Sequence, residues 1–461
     1  MRAGEYKKHY TNPLEAPFTQ PPIGLLYVGA ALENDGHKVE LLDYNAENIT
    51  EGKLKNSVLS SDAVGINVYT VTCSSALNIS KNVKKIDPKI PLLIGGPHCI
   101  FLKQQSLFHI PHADISIVGE GENTIIDLAR FMQGKKKLSD IHGIYYREKN
   151  KIKSGKSPMS IDNLDSLPFP ARHLVDKYDY GEYPWGYKMK KKVTSTLTSR
   201  GCPFNCSFCS RYGNMIKGWD YRLRSAENVV KELQELDGKY RTVFILDDNF
   251  LADKKRGHKI FDMLLEMGTT LDITIHGARV DSKDKLLYKK MKKAGVKVIA
   301  YGIESGNQDV LDFYNKKVTL QQIRNAIVLA RKMRFFTFGY FILGAPIETE
   351  QHIKNTIKFA RSLPLDAVEF YPLYYMMGSQ MWNQVLKEKK ISEDEIYVMT
   401  DSSRNLGNFT KEEILEYRSM AYRQFFLRPG FLLGQIYRGL SRGDLSFLLS
   451  GLNFIKSVNN G

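Results

Sequence analysis

The 461-residue sequence has no run of about 18 uncharged apolar residues, the length a helix needs to cross a bilayer. Nor does it open on a secretory signal: MRAGEYKKHY carries charge where such a signal requires an apolar core. Both absences point to the cytoplasm. Cysteine is scarce, at five residues, an odd count with three of them clustered. In a reducing compartment that pattern argues against structural disulfides and for metal, cluster or redox chemistry. Long blocks of like charge are missing as well. A formal net charge of +16 would suit nucleic acid, anionic lipid or phosphate-bearing ligands, yet the lysines are dispersed in short runs such as 135–137. Without aromatic residues interleaved among them, those runs read as solvated surface, and no nucleic-acid partner is expected.

What the chain does have is length and 43% hydrophobic residues, enough to fill two or three cores. From residue 20 to 130 short apolar runs alternate with helical patterns: helix IGLLYVGAALENDG, strands KVELLDY and DAVGINVY, helix ALNISKNVKKI, strands PLLIGG and ADISIVG. Such alternation predicts an α/β fold with a doubly wound parallel sheet, closed by a hairpin-like GIYYREKNKIKSG. This defines an amino-terminal domain over 1–156. Residues 157–192, with prolines at 158, 168, 170 and 184 and the basic KMKKK, read as a linker with some packing of its own.

A second alternation over 193–375 supplies six strand candidates: VTSTLTS, TVFILDD, DITIHGARV, KVIAYGIES, FTFGYFILG and AVEFYPLYY. Six β/α units predict a partial (β/α)6 barrel rather than the usual eight. In parallel α/β folds chemistry gathers at the carboxyl ends of the strands, because the loops leaving them converge. The unusual residues fall there: a cysteine loop after the first strand, Asp247, Asp248 and Asn249 after the second, Arg279, Glu304 and Ser305, then Gly344 and Pro346. Residues 376–461 turn helical and aromatic-basic, as in AYRQFFLRPGFLLGQIYRGL and LSFLLSGLNFIKSV, predicting a helical extension broken at Pro429 and the glycines.

The cysteine loop is SRGCPFNCSFCSR, residues 199–211, with CxxxCxxC spacing. Three thiolates on one tight loop can each bind an iron of a cubane 4Fe-4S cluster and leave the fourth iron open. A zinc site would want a fourth ligand, Cys73 or Cys99 folding back, and a CxxC dithiol of Cys206 and Cys209 would leave Cys202 idle. The loop resembles the cluster loop of the radical S-adenosylmethionine (radical SAM) superfamily: Gly201 before Cys202, Pro203 after it, and the aromatic Phe208 before the last cysteine. The resemblance implies Cys202, Cys206 and Cys209 as catalytic cluster ligands, S-adenosylmethionine on the open iron, and its reductive cleavage to a 5'-deoxyadenosyl radical with the help of an electron donor. It also implies Phe208 beside the adenine, Asp247, Asp248 and Asn249 (in place of the common GGE) at the methionine amino group, and Glu304 and Ser305 at ribose or methionine. Gly344, with Gly339 and Pro346, would lie at the adenine. Arg279 would meet the carboxylate by a bidentate bond, or else form a buried ion pair with a barrel acid.

In the amino-terminal half, GGPH (Gly95, Gly96, His98) and GEGE (Gly119, Glu120, Gly121, Glu122) follow successive strands, where glycine lets a phosphate-bearing ligand approach backbone. With PPIGLLYVGAALENDGHKVELLD they resemble the cobalamin-binding domain of one branch of the superfamily. That branch includes anaerobic magnesium-protoporphyrin monomethyl ester cyclase-like and class B methyltransferase-like proteins. The resemblance implies cobalamin held by Gly95, Gly96, His98, Gly119, Glu120 and Gly121, although a lone loop histidine such as His98 is more often a hydrogen-bonding residue than a ligand. Two departures stand out. The DxHxxG position reads DYNAEN from Asp43, so no histidine can ligate cobalt from below. The first twenty residues are polar where the family has an apolar strand, so either the start is truncated or the sheet lacks a strand. A scaffold that holds substrate without cobalamin is the alternative.

The resemblance implies an enzyme that methylates an unactivated carbon of a hydrophobic or tetrapyrrole-like molecule, or that carries out ring closure or another C–H modification. A non-catalytic iron–sulfur or cobalamin protein is the reading of another class, and three cluster ligands instead of four argue against it. The carboxy-terminal helices either cap the barrel or rest peripherally on anionic lipid, which would suit a lipid substrate.

Overall fold

The structure, a computed structural model, describes residues 20–149, 151–181, 192–214, 216, 218–280 and 284–434. The polar first nineteen residues, most of the KMKKK run and the LSFLLSGLNFIKSV segment lie outside these. The amino-terminal sheet has the order β1 (Val64–Asn67), β2 (Leu92–Gly95), β3 (Ile115–Ile117), β4 (Ile144–Glu148) and β5 (Lys151–Ser154). β1, β2 and β3 are parallel and β4 and β5 add an antiparallel hairpin. β2 and β3 are buried on both faces, as expected where helices cover both sides. KVELLDY does not form the expected strand. It keeps alternating burial, with Leu41 and Asp43 inside, but finds no ladder partner among the described residues.

The second sheet holds β6 (Val193–Thr196), then, beyond the two-residue pair β7 (Ser199–Arg200) and β8 (Arg222–Leu223), the strands β9 (Thr242–Ile245), β10 (Asp272–Arg279), β11 (Val296–Glu304), β12 (Phe336–Leu343) and β13 (Ala367–Pro372). The order β6-β9-β10-β11-β12-β13 is parallel throughout and follows the chain, as right-handed β/α crossovers dictate. It is the partial six-stranded barrel. Outer helices begin at side-chain caps: Ser225, Asp253 and Asp284 each accept a backbone N–H of the first turn. Their apolar stripes, for example Val229, Leu233 and Leu236, close the main core.

After β13 a small ribbon of β14 (Tyr374–Met376) and β15 (Tyr397–Met399) leads to the helix Lys411–Phe426. Ile414, Ala421, Tyr422 and Phe425 of this helix are buried in the barrel core, so the described part of the extension is a cap on the barrel. No described helix is long and apolar enough to cross a membrane.

The linker is built in. Arg172 donates to Glu232 and to Thr194 Oγ1 at 2.9 Å, and Arg224 reaches the same carboxylate from the other side. Burial opposes the charge on Glu232, but the two arginines hold its carboxyl below the usual range. Asp43, at the position of the absent histidine motif, accepts from Tyr180 Oη at 2.8 Å.

Candidate active site

The cysteine loop leaves the carboxyl end of β6 and is tied down by groups other than its thiols. Ser207 N donates to Tyr314 O at 2.9 Å, Ser210 Oγ to Met377 O at 2.6 Å, and Arg211 Nη2 to Cys202 O at 3.1 Å. Phe208 packs edge-on against Tyr314 with ring centroids 5.0 Å apart. Burial pushes the Cys202 thiol up, and Cys209, open to solvent but backed by protein, reaches about 12 through desolvation and repulsion from Cys206, Asp248 and Cys202. Cys202 and Cys209 thus resist ionisation unless a cation sits among the sulfurs.

The residues after β9 divide their labour. Asp247 accepts from Thr198 N and Ser199 Oγ, both at 2.6 Å, so it fixes the root of the cysteine loop. Asp248, raised by burial and by the charge on Asp247, accepts from the Gly201 backbone. Asn249 Oδ1 is buried with no hydrogen-bond partner among the described residues, an acceptor open to a donor from a ligand or water. β10 carries an irregularity between Ile275 and Ala278, where Gly277 adopts φ +68°. A Cβ there would lie 2.3 Å from Asp247 O, so only glycine lets β10 pass this close.

At the end of β11, Glu304 also lies in the left-handed region, at φ +68°. Its carboxylate pairs with Lys316 Nζ at 2.6 Å, both groups being buried. Burial disfavours the Lys316 charge, but Glu304 and Cys206 outweigh it and raise the ammonium. Arg279 stacks 3.8 Å above the Phe204 ring of the cysteine loop and donates to the backbone carbonyls of Lys316 and Lys317. Sequence reasoning did not single out Lys316; the only signal was its place in a loop leaving a barrel strand. Ser305 is placed differently from the expectation: it is fully buried, and its hydroxyl meets Thr356 Oγ1 and Asn307.

The amino-terminal sheet points its own carboxyl ends at this loop. Tyr212, just beyond the cysteines, stacks on Phe101 with centroids 5.6 Å apart, and its hydroxyl is pushed up by burial and by the nearby Asp248 carboxylate. Tyr69 and Val71, in the turn after β1, stay about half exposed, at 49% and 53%.

Two sequence families match the two halves: residues 196–360 fit the Radical SAM superfamily and residues 14–129 the B12 binding domain. An uncharacterized methyltransferase of Pyrococcus horikoshii is 32% identical over 443 residues, covering 92% of this chain and 94% of its own. The chain belongs to the cobalamin-binding branch of the radical SAM superfamily. An anaerobic magnesium-protoporphyrin IX monomethyl ester cyclase of Rubrivivax gelatinosus is 26% identical, covering 89% of this chain and 75% of its own. Among solved structures, the cobalamin-dependent S-adenosylmethionine radical enzyme OxsB superposes with a TM-score of 0.70 at 18% identity, over 96% of this chain and 73% of that one, the mark of a shared fold.

The protein is therefore a radical SAM enzyme whose cofactors are a 4Fe-4S cluster, S-adenosylmethionine and cobalamin. The residues present fit these groups. Three soft donors share one anchored loop, Asn249 offers an orphaned acceptor, and Tyr69 and Val71, in the turn after β1, offer exposed apolar surface. The GEGE acids serve another purpose. Glu120 receives Arg200 at 2.7 Å and Arg222 at 2.9 Å, and also the Ile161 N–H, while Glu122 takes the other arm of Arg200. Burial opposes ionisation of Glu120, yet the two arginines hold its carboxyl below the usual range. Its side chain belongs to the domain junction, where Gly119 takes φ +125° and a Cβ on Gly121 would lie 3.3 Å from Val28 Cγ2. His98 is likewise a wall residue, 1% exposed, its ring nitrogens 3.4 Å from Cys73 Sγ and 3.3 Å from Thr70 Oγ1.

Gly344, at φ +98°, and Ala345 both donate to Glu348 Oε2, at 2.6 and 2.8 Å. Glu348 is fully buried; burial pushes its carboxyl up to about 7, against the pull of those N–H groups. The native state thus holds this proton more tightly than the unfolded chain does. Stability should fall by on the order of 3 kcal/mol as pH rises from about 4.5 to about 7. Urea unfolding of Glu348→Gln at pH 5 and pH 8 checks this: the variant should lack that decline, and an unchanged decline would remove the assignment.

Proposed function

We propose that the enzyme methylates an unactivated carbon of a hydrophobic, tetrapyrrole-like or lipid-like molecule. One observation carries the reading: the carboxyl ends of both parallel sheets meet at the cysteine loop, where Phe101, beyond β2, stacks on Tyr212 with ring centroids 5.6 Å apart. Residues 1–156 would carry cobalamin, 157–192 link, 193–375 hold the cluster and S-adenosylmethionine, and 376–461 cap the barrel. Cys202, Cys206 and Cys209 are the proposed cluster ligands, with Phe208 as a wall beside the adenine. Asn249 Oδ1 accepts from the methionine amino group and Asp248 adds negative charge beside it, while Asp247 positions the loop. Arg279 and the Glu304–Lys316 pair set the charge of the facing wall, and Ser305 and Gly344 contribute backbone. Gly95, Gly96, Gly119 and Gly121 present backbone to cobalamin. When bound, the cluster supplies the electron that cleaves S-adenosylmethionine and cobalamin carries the methyl group.

Anaerobically reconstituted protein given reduced cobalamin, S-adenosylmethionine and dithionite should form both S-adenosylhomocysteine and 5'-deoxyadenosine, even before a substrate is known. Deoxyadenosine alone, with cobalamin bound, would overturn methyl transfer and leave the cyclase-type reaction. We place the enzyme in the cytoplasm, served by a reducing electron donor. Exposed Leu427 and Leu433 beside Arg428 support peripheral contact with anionic lipid.

A further inference from the structure

The geometry points to a second metal site, in which Cys73, His98 and His109 hold one zinc-class divalent ion. The three donors come from separate pieces of the amino-terminal domain. Cys73 opens the helix Cys73–Ile86 that follows β1, His98 lies in the first turn of Pro97–Leu102 after β2, and His109 closes Ser106–His109 ahead of β3. One ligand atom from each lies within 4.8 Å of the other two. Cys73 Sγ and His98 Nε2 are 3.4 Å apart, and the two imidazoles are tilted at 53° with centroids 5.3 Å apart. Zinc bonds of about 2.3 Å to sulfur and about 2.0–2.1 Å to nitrogen place neighbouring tetrahedral donors roughly 3.5 Å apart. The cysteine–histidine edge already has that length, and the third donor closes by a side-chain adjustment of about 1 Å or slightly more.

A plain Cys73–His98 hydrogen bond would account for two of the residues but not the third. His109 Nδ1 is buried and has no hydrogen-bond partner among the described residues, although the ring stands beside the other two donors. A buried imidazole nitrogen without a partner is costly, and an ion bound at that nitrogen would satisfy it. His98 Nδ1, 3.3 Å from Thr70 Oγ1, has the outer contact that orients a metal-bound imidazole, and the carboxylate of Asp394 acts on His109. One thiolate and two imidazoles select a borderline-soft ion such as zinc over calcium or magnesium, and three protein ligands leave a fourth position for water. The ion would staple the loops after β1 and β2 to the segment leading into β3.

The test uses the full chain with Cys202, Cys206 and Cys209 all replaced by alanine, so that the cluster loop contributes no sulfur, and without cobalamin. Co2+ serves as the probe. One Co2+ per chain should bind, with a thiolate-to-cobalt charge-transfer band and the intense visible bands of a tetrahedral site, and Zn2+ should displace it. Cys73→Ser should erase the charge-transfer band. His109→Gln, at a partly exposed position where the fold is retained, should weaken binding at least tenfold. Absence of stoichiometric binding while the Cys73 thiol titrates as free would overturn the site. So would binding that survives both substitutions.

Discussion

Cys206→Ala should yield a folded protein that retains no cluster and forms no detectable 5'-deoxyadenosine, a loss of at least about three orders of magnitude in cleavage rate. The fold should survive because the loop is held by the Ser207, Ser210 and Arg211 bonds, none of which involves the Cys206 sulfur. Two remaining thiolates cannot anchor a cubane whose fourth iron must stay open for S-adenosylmethionine. Iron content, the visible charge-transfer absorption and deoxyadenosine by chromatography should fall together, with the far-ultraviolet circular dichroism unchanged. Deoxyadenosine at the parent rate would remove Cys206 from the ligand set.

Glu120→Ala should lower stability by about 3–5 kcal/mol, the usual result when a buried charge pair loses one partner. Arg222 would keep its charge, at low exposure, without a carboxylate partner, and Arg200 would be left with Glu122 alone. The expected effect is a lower urea midpoint, and combining Glu120→Ala with Arg222→Met should recover part of the loss. A change below about 1 kcal/mol would class the pair with exposed ion pairs instead. The substitution should also disturb the cluster's spectrum, because Arg200 stands two residues before Cys202.

Much of this was legible in the sequence for physical reasons that act locally. The barrel strands follow from short β-branched and aromatic runs, and their carboxyl ends collect the unusual residues because every loop leaves from the same side. Three thiols within eight positions needed no tertiary information. Pairings across the chain were not legible. Glu120 meets Arg200 at a separation of 80 residues, and Lys316 meets Glu304 at the end of β11 across the intervening helix Gln308–Phe313. Ser305 was taken by Thr356, 51 residues on, which no local pattern announces. KVELLDY has the alternation of a strand but lacks a described neighbour, since period two reports which side is buried and not which strand pairs with it. Cys73, His98 and His109 have no motif spacing at all and meet only through the sheet.

The shared grip of Glu120 on Arg200 and Arg222 bears on modular exchange. A chimera that joins this barrel to another cobalamin-binding domain must bring acids at the positions of Glu120 and Glu122, or two guanidinium groups beside the cysteine loop will be stranded at the new seam. The two halves are a matched set for any such exchange, because the junction that matters is made of side chains.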